Sequence, residues 1–363
     1  MCSPDFFLRY TSSIAMRRCL LLCASFWALA LPSWSLHAQP SSPTPPSAAR
    51  LEQAQQLFAQ GKLDQALAEL STLGQQAPEP AGVERLRGFI YYQQNKFIEA
   101  DAAFAKALVQ DPKDTEAMQL RGVTLFRMGK AAEAIPLLEQ AHASVSNANI
   151  DPNYVLGVAY MQVGRLDDAR RAFAAQYGFQ PESAPAYLLA ARMFFHQENV
   201  PAAHAAATKA LQLNSSLPLA HQLLGEIALA TGDILGAIVE LEKEQQLNPL
   251  NGELYDRLGD AYLRNRQFAE AQHALNRAVL LEPNATGPYI LMGKLMLNQQ
   301  NPVMAAMYLE RARQMDPGNY MTHFLLGQVY RTEGRRDDAA SEFHAAERLQ
   351  ASKTSPAKTE TQH

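Results

Sequence analysis

Apolar residues along most of the chain fall at helical spacing, in paired segments joined by a short turn. The stretch LLGEIALATGDILGAIVELEKEQQLNP, which begins at Leu223, shows the unit, with Gly232 at its turn. The unit recurs. Gly88, Gly122, Gly157, Gly225, Gly259, Gly293 and Gly327 are separated by 34, 35, 68, 34, 34 and 34 residues; the 68 is two units, with Ala191 where a glycine would stand. Twelve residues beyond that place, Ala66, Ala100, Ala134, Ala169, Ala203, Ala237, Ala271, Ala305 and Ala339 form a series unbroken in nine units. A third series is large: Leu70, Phe104, Leu138, Phe173, Leu241, Leu275, Leu309 and Phe343, with Ala207 the exception. Pro78, Pro112, Pro181, Pro249, Pro283 and Pro317 close most units.

The glycine and the alanine are expected where the two helices of a pair cross, because small residues let backbones approach. The large residue then fills the space between pairs, and proline ends the second helix. The pattern resembles the tetratricopeptide repeat family. Its small residue, aromatic, alanine, aromatic and proline appear as Gly157, Tyr160, Ala169, Phe173 and Pro181. They appear again as Gly259, Tyr262, Ala271, Leu275, Ala278 and Pro283. The family's tryptophan is absent, with Tyr187, Tyr255 and Tyr289 in its place in some units. The resemblance spans roughly residues 47–350. It implies an all-α superhelix (solenoid) of nine helix-turn-helix repeats, a fold whose members serve as adaptors, assembly factors and co-chaperones.

Two units depart from the pattern. The third carries Pro136 in its second helix, has Ser146 in place of the closing proline, and is followed by a 35-residue step. The fifth has Ala191 and Ala207 at packing sites and an alanine-rich second helix, which predicts thinner packing. Both are flexure candidates, against the plainer reading of repeat drift.

Ahead of the repeats, Arg17 and Arg18 precede an apolar run from Cys19 to Leu31, then Pro32 and a small residue, Ala38. This is the layout of an export signal. The run is short for a membrane span, which needs about 20 apolar residues. The chain therefore divides into a signal peptide or anchor (1–38), a Pro/Ser-rich linker (39–48), the array (49–350) and a polar disordered tail (351–363). The protein is expected to be exported to a bacterial periplasm or secreted, with an uncleaved inner-membrane anchor as the alternative. No integral membrane span is expected in the mature chain.

Composition narrows the function. Without residues 1–38 the chain has 29 basic and 35 acidic side chains, a net charge of −6, which argues against nucleic acid. Cys2, Cys19 and Cys23 all precede the repeats, so the array has no thiolate site or disulfide. Seven histidines lie between His142 and His344 without metal-pair spacing. Phosphate-binding loops and a nucleophile elbow are absent from the sequence. Asp167-Asp168 and Asp337-Asp338 open second helices, where acids complement the helix dipole. No catalytic residue, cofactor or metal is expected, and the chain reads as a binder and not an enzyme.

Numbering each repeat from 1, with the glycine series at position 8, positions 4, 8 and 11 point into the stack. Positions 5, 9 and 12 then line the inner curve. In repeats 2 to 5 this places Arg85, Phe89, Tyr92, Phe126, Tyr154, Met161, Arg192 and Phe195 on one face, with Gln119, Val123, Val158 and Leu188 beside them. Aromatic and arginine side chains suit a groove for an extended peptide; the alternative is that these aromatics pack against neighbouring helices. Later repeats are more polar there, with Asp256, Asp260, Lys294, Gln328 and Arg331. The family's lysine–asparagine clamp for a C-terminal carboxylate is absent. The expected partner is thus a protein or peptide. A membrane-anchored assembly factor, or the recognition subunit of a separate enzyme such as a glycosyltransferase, are the alternatives. Phe343 and Leu349 in the last helix mark a self-association surface or a frayed end.

Overall fold

A computed structural model describes residues 46–143 and 152–354. The expected signal (1–38), most of the linker, Ser146 and most of the tail lie outside the described residues. Within them are eighteen helices, two per repeat, and no strand. Repeat 1 is α1 (Pro46–Ala59) and α2 (Leu63–Leu73); repeat 2 is α3 (Val83–Gln93) and α4 (Phe97–Gln110); repeat 3 is α5 (Thr115–Arg127) and α6 (Ala131–Ala143). Repeats 4 to 6 are α7 (Pro152–Gln162), α8 (Leu166–Gln176), α9 (Ala184–His196), α10 (Val200–Leu213), α11 (Ala220–Thr231) and α12 (Ile234–Leu247). Repeats 7 to 9 are α13 (Gly252–Arg264), α14 (Phe268–Leu281), α15 (Thr286–Asn298), α16 (Pro302–Met315), α17 (Tyr320–Thr332) and α18 (Arg336–Thr354).

The array is three residues longer at its start than expected and four longer at its end. Pro46 opens α1, a position where a missing N–H costs nothing. At the other end the first proline after α18 is Pro356, so nothing stops the helix at 350, and Ser352 donates to the Leu349 carbonyl within it. The Pro136 ring faces outward, exposed, and α6 runs through it.

The helix crossings are built as the small-residue series predicts. The nine alanines are buried, eight at 0% exposure. The glycines do something more specific: each leaves room for the large residue of its own hairpin. A Cβ on Gly88 would sit 2.7 Å from the Phe104 ring, and one on Gly122 or Gly225 would sit 2.6 Å from Leu138 or Leu241. Repeat 5 solves the same problem the other way round. Ala191 keeps its Cβ, and the residue facing it is cut to Ala207; both are fully buried.

Each first (A) helix ends on a left-handed residue at position 15. Five are glycines, among them Gly232 with φ 83°. The others are Asn95, Glu198, Arg266 and Gln300, with φ of 58–62°. Several helices begin on side-chain caps; Asp114, Asn251 and Asn319, for example, accept from backbone N–H groups.

Each hairpin stacks on the next through its B helix. Successive A helices also touch directly, as α3 does α5, α9 does α11 and α13 does α15. Successive B helices lie farther apart, so the A helices take the inner side of the curve. Three continuous clusters of buried side chains run through the stack from Val123 to Ala339.

The seat at position 8 is testable. Gly259→Ala places a methyl about 2.6 Å from Leu275 Cγ. It should destabilise the array by about 1–3 kcal/mol, and Leu275→Ala alone by about 2–5 kcal/mol. The double variant reproduces the Ala191–Ala207 arrangement. Urea unfolding should show it losing at least about 1 kcal/mol less than the sum of the two; strict additivity would refute the seat.

Candidate functional site

All eight residues expected to line the groove lie on the A helices α3, α5, α7 and α9, and all are half-buried. Their surroundings differ. Phe89 lies 5.2 Å from Phe58, and Tyr92 meets Phe97 edge-on at 5.7 Å. Burial pushes the Tyr92 hydroxyl above its ordinary range. Phe126, Tyr154, Met161 and Phe195 rest on the core that runs through repeats 3 to 6. Gln119, Val123 and Val158 do not line open surface; they are buried, because neighbouring A helices close over them where the stack is tight. The aromatic face is thus half packing surface and half open.

The two arginines separate. Arg85 Nη1 lies 3.0 Å from Asp114, the N-cap of α5, and 3.3 Å from Glu116. It holds one A helix to the next. Arg192 has no hydrogen bond, ion pair or ring contact with any described residue. It stands half-buried beside Leu188 and Phe195 on α9 with its donors unused by the fold.

The link through position 5 recurs farther along. Asn251, the N-cap of α13, donates to Gln222 at 2.8 Å. In the next repeat the same place is Asp256, which faces the start of α15 so closely that a Cβ on Gly287 would lie 3.0 Å from Oδ2. The N-cap there is Ala285, which offers no side chain. The buried Oδ1 of Asp256 therefore has no hydrogen-bond partner. Burial is the main cause that raises its carboxyl to about 6, with Asp260, Glu253 and Glu282 adding to it and Arg257 opposing. Around it, Arg257 reaches Glu253 at 3.3 Å, and Arg264 reaches Asp260 at 2.6 Å.

Sequence reasoning missed two histidines. His221 lies 2.6 Å from Glu240; His323 lies 2.5 Å from Glu342 and 2.9 Å from the Pro317 carbonyl. Both occupy position 4, and both glutamates occupy position 23 of the same repeat. Glu342 also pairs with Arg313 of the preceding repeat. Burial works to raise the Glu240 carboxyl, but hydrogen bonds from Lys243 and His221 outweigh it and hold it below its ordinary value. These are clasps within the fold. The acids at the start of α8 and α18 are likewise structural: Asp168 binds Arg165 at 2.6 Å, and Asp338 binds Arg335 at 2.8 Å. At the C-terminal end, Met321 and Phe324 stay exposed, and Phe324 meets Phe343 at 5.9 Å. Among the described residues no helix is long and apolar enough to cross a membrane.

Asp256 gives a pH signature. Its raised value means that the protonated form is favoured on folding. The stability it contributes is full below the ordinary carboxyl range and is lost as pH rises through about 6. Asp256→Asn should raise the unfolding free energy from urea titration near neutral pH by about 1–2 kcal/mol, and change it little near pH 4. Equal effects at both pH values would refute the assignment.

Models of the tetratricopeptide repeat match residues 85–149, 125–193, 252–285 and 290–356, together more than half of the chain. The chain is 22% identical over 300 residues to anaphase-promoting complex subunit 3 of Schizosaccharomyces pombe, across 82% of this chain and 45% of that protein. It is 25% identical over 338 residues to a TPR repeat-containing protein of Treponema pallidum, across 84% of this chain and 41% of that one. It spans about half the length, or less, of these curated relatives. Among solved structures it is similar to yeast Tom70, with a TM-score of 0.41 at 13% identity over 84% of this chain and 92% of that chain. It is also similar to YrrB, titled a TPR protein with an unusual peptide-binding site, with a TM-score of 0.41 at 25% identity over 50% and 94%.

Proposed function

Because this chain belongs to the tetratricopeptide repeat family, we propose that it is an interaction scaffold. It holds an extended protein segment against the A-helix face of repeats 2 to 5. The observation that carries the reading is Arg192, a guanidinium without a fold partner, set among half-buried apolar side chains. Such a group offers charge-assisted donors to a carboxylate or backbone carbonyl, while Met161, Phe126 and Phe195 offer apolar contact. The family models that match describe a repeat and not a catalytic domain. The S. pombe relative is, by its name, a subunit of a larger complex, which agrees with a holding role.

The test uses variants that spare the packing. Extended peptides selected from a random library on the immobilised protein should lose affinity by about tenfold or more with Arg192→Glu, at unchanged thermal midpoint. Peptides that bind the variant as tightly as the parent would refute the groove.

We also propose that the scaffold works outside the cytoplasm. The support is the Arg17-Arg18 pair, the apolar run to Leu31 and Ala38. N-terminal sequencing of the mature protein should begin at Gln39. A soluble cytosolic form that starts at Met1 or Met16 would overturn this.

A further inference from the structure

Three junctions between repeats share one polar strap. The hydroxyls of Tyr160, Tyr262 and Tyr330 donate to Glu139, Glu242 and Glu310 at 2.6, 2.7 and 2.8 Å. Each tyrosine is at position 11, and each glutamate is at position 25 of the preceding repeat. Burial and the glutamate raise each phenol, that of Tyr330 to about 12. At two of the junctions an arginine from position 16 covers the ring: Arg165 lies 4.5 Å from the Tyr160 centroid and Arg335 lies 3.9 Å from that of Tyr330. A ring wedged between hairpins, an acid on one side and a cation on the other, is therefore a complete junction.

The junction between repeats 5 and 6 lacks every part of this. Position 11 is Ala228, position 25 of the preceding repeat is Thr208, and position 16 is Asp233. Gly236 trims the wall further. What remains is a cleft of about 780 Å³ on the B-helix side, with Val200, Leu224 and Ile227 among its apolar lining and Leu235 and Val239 exposed at its edge. Its volume is in the range of ligand sites, and it lies away from the A-helix groove. Its other ionisable lining residues are His204 and Glu240, the latter held by His221 and Lys243, and where the complete junctions place an arginine this one has Asp233.

We propose that the cleft receives an aromatic side chain of a partner protein that carries a lysine or arginine next to it. The ring takes the place that Tyr160, Tyr262 and Tyr330 hold elsewhere. The adjoining cation meets Asp233, which also caps α12 through the Gly236 N–H, and so supplies from outside what Arg165 and Arg335 supply from within. Binding there adds to any binding in the groove and does not depend on it.

Methyl NMR of the full chain tests this with three capped tripeptides: Lys-Tyr-Lys, Lys-Ala-Lys and Glu-Tyr-Glu. Lys-Tyr-Lys should shift the methyls of Val200, Ile227 and Val239, and the other two should not. Ala228→Tyr with Thr208→Glu rebuilds the strap, fills the cleft from inside and should weaken Lys-Tyr-Lys by about tenfold or more. Val239→Lys, at a half-exposed edge where folding is not at risk, should weaken it similarly through charge repulsion. Arg192→Glu should leave it unchanged. Equal shifts with the alanine or glutamate peptides, shifts confined to A-helix methyls, or undiminished binding to Val239→Lys would each overturn the proposal.

Discussion

In seven of the nine repeats the large side chain at position 24 of the B helix has to find its volume somewhere, and the A helix supplies it by giving up a Cβ. With glycine at position 8, Phe104, Phe173 or Leu241 can settle against bare backbone, and the two helices of a hairpin meet at a fixed depth. The buried alanine at position 20 sets the same depth from the other side. Repeat 5 divides the space differently, with Ala191 and Ala207, and closes it all the same; repeat 1 keeps Ala54 in a cluster with the fully buried Leu70. Everything else in the array follows from hairpins of constant thickness, because only then does the stack repeat at a constant angle and bring successive A helices together on one side.

Between hairpins the chemistry is freer. Some junctions are closed by the tyrosine–glutamate strap, some by apolar contact, and the A helices are further joined through position 5, as in Arg85 with Asp114. These polar links are cheap where both partners are present and costly where one is missing. Asp256 illustrates the cost. It occupies the linking place before a helix whose cap, Ala285, offers it no side chain, so a buried oxygen goes unpaired and its carboxyl stays protonated to higher pH.

The fold was legible because its constraint is local and repeated. Gly225, Ala237 and Leu241 lie close in sequence, and nine copies in register remove the ambiguity of one. The turns were legible in part: Gly232 announces a left-handed residue, whereas Glu198 and Arg266 adopt that conformation without any compositional sign. The candidate groove was legible as a face but not as a surface. Helical geometry assigns Phe89, Val123 and Arg85 to one side of their helices, yet how far the next helix covers them depends on stacking, which one helix does not encode. The pairing of Arg85 with Asp114 spans 29 residues and needs the stack to be seen. By contrast, the His221–Glu240 and His323–Glu342 clasps, and the three tyrosine straps, were present as pairs of residues that recur at the same two positions, although Glu69 and Tyr91 show that one member also occurs without the other. Comparing repeats within the one chain would have found them.

That comparison also bears on where a solenoid can bind without coming apart. A ligand that competes for the position-8 seat would pull a hairpin open, and one that competes for a strap would loosen a junction that the neighbouring repeats depend on. Binding surfaces are therefore best placed on groups that the stack has no use for. Arg192 is such a group on the A-helix side, since it has no hydrogen bond or ion pair with any described residue. The cleft beside Ala228 is such a place on the B-helix side, since the fold there has already dispensed with its strap and closes over Ala191 and Ala207 instead. The same substitutions that make repeat 5 look weakest in sequence are compensated within its own hairpin. What they leave unfilled lies at its border with repeat 6, where a vacancy costs the array little and remains open to a partner.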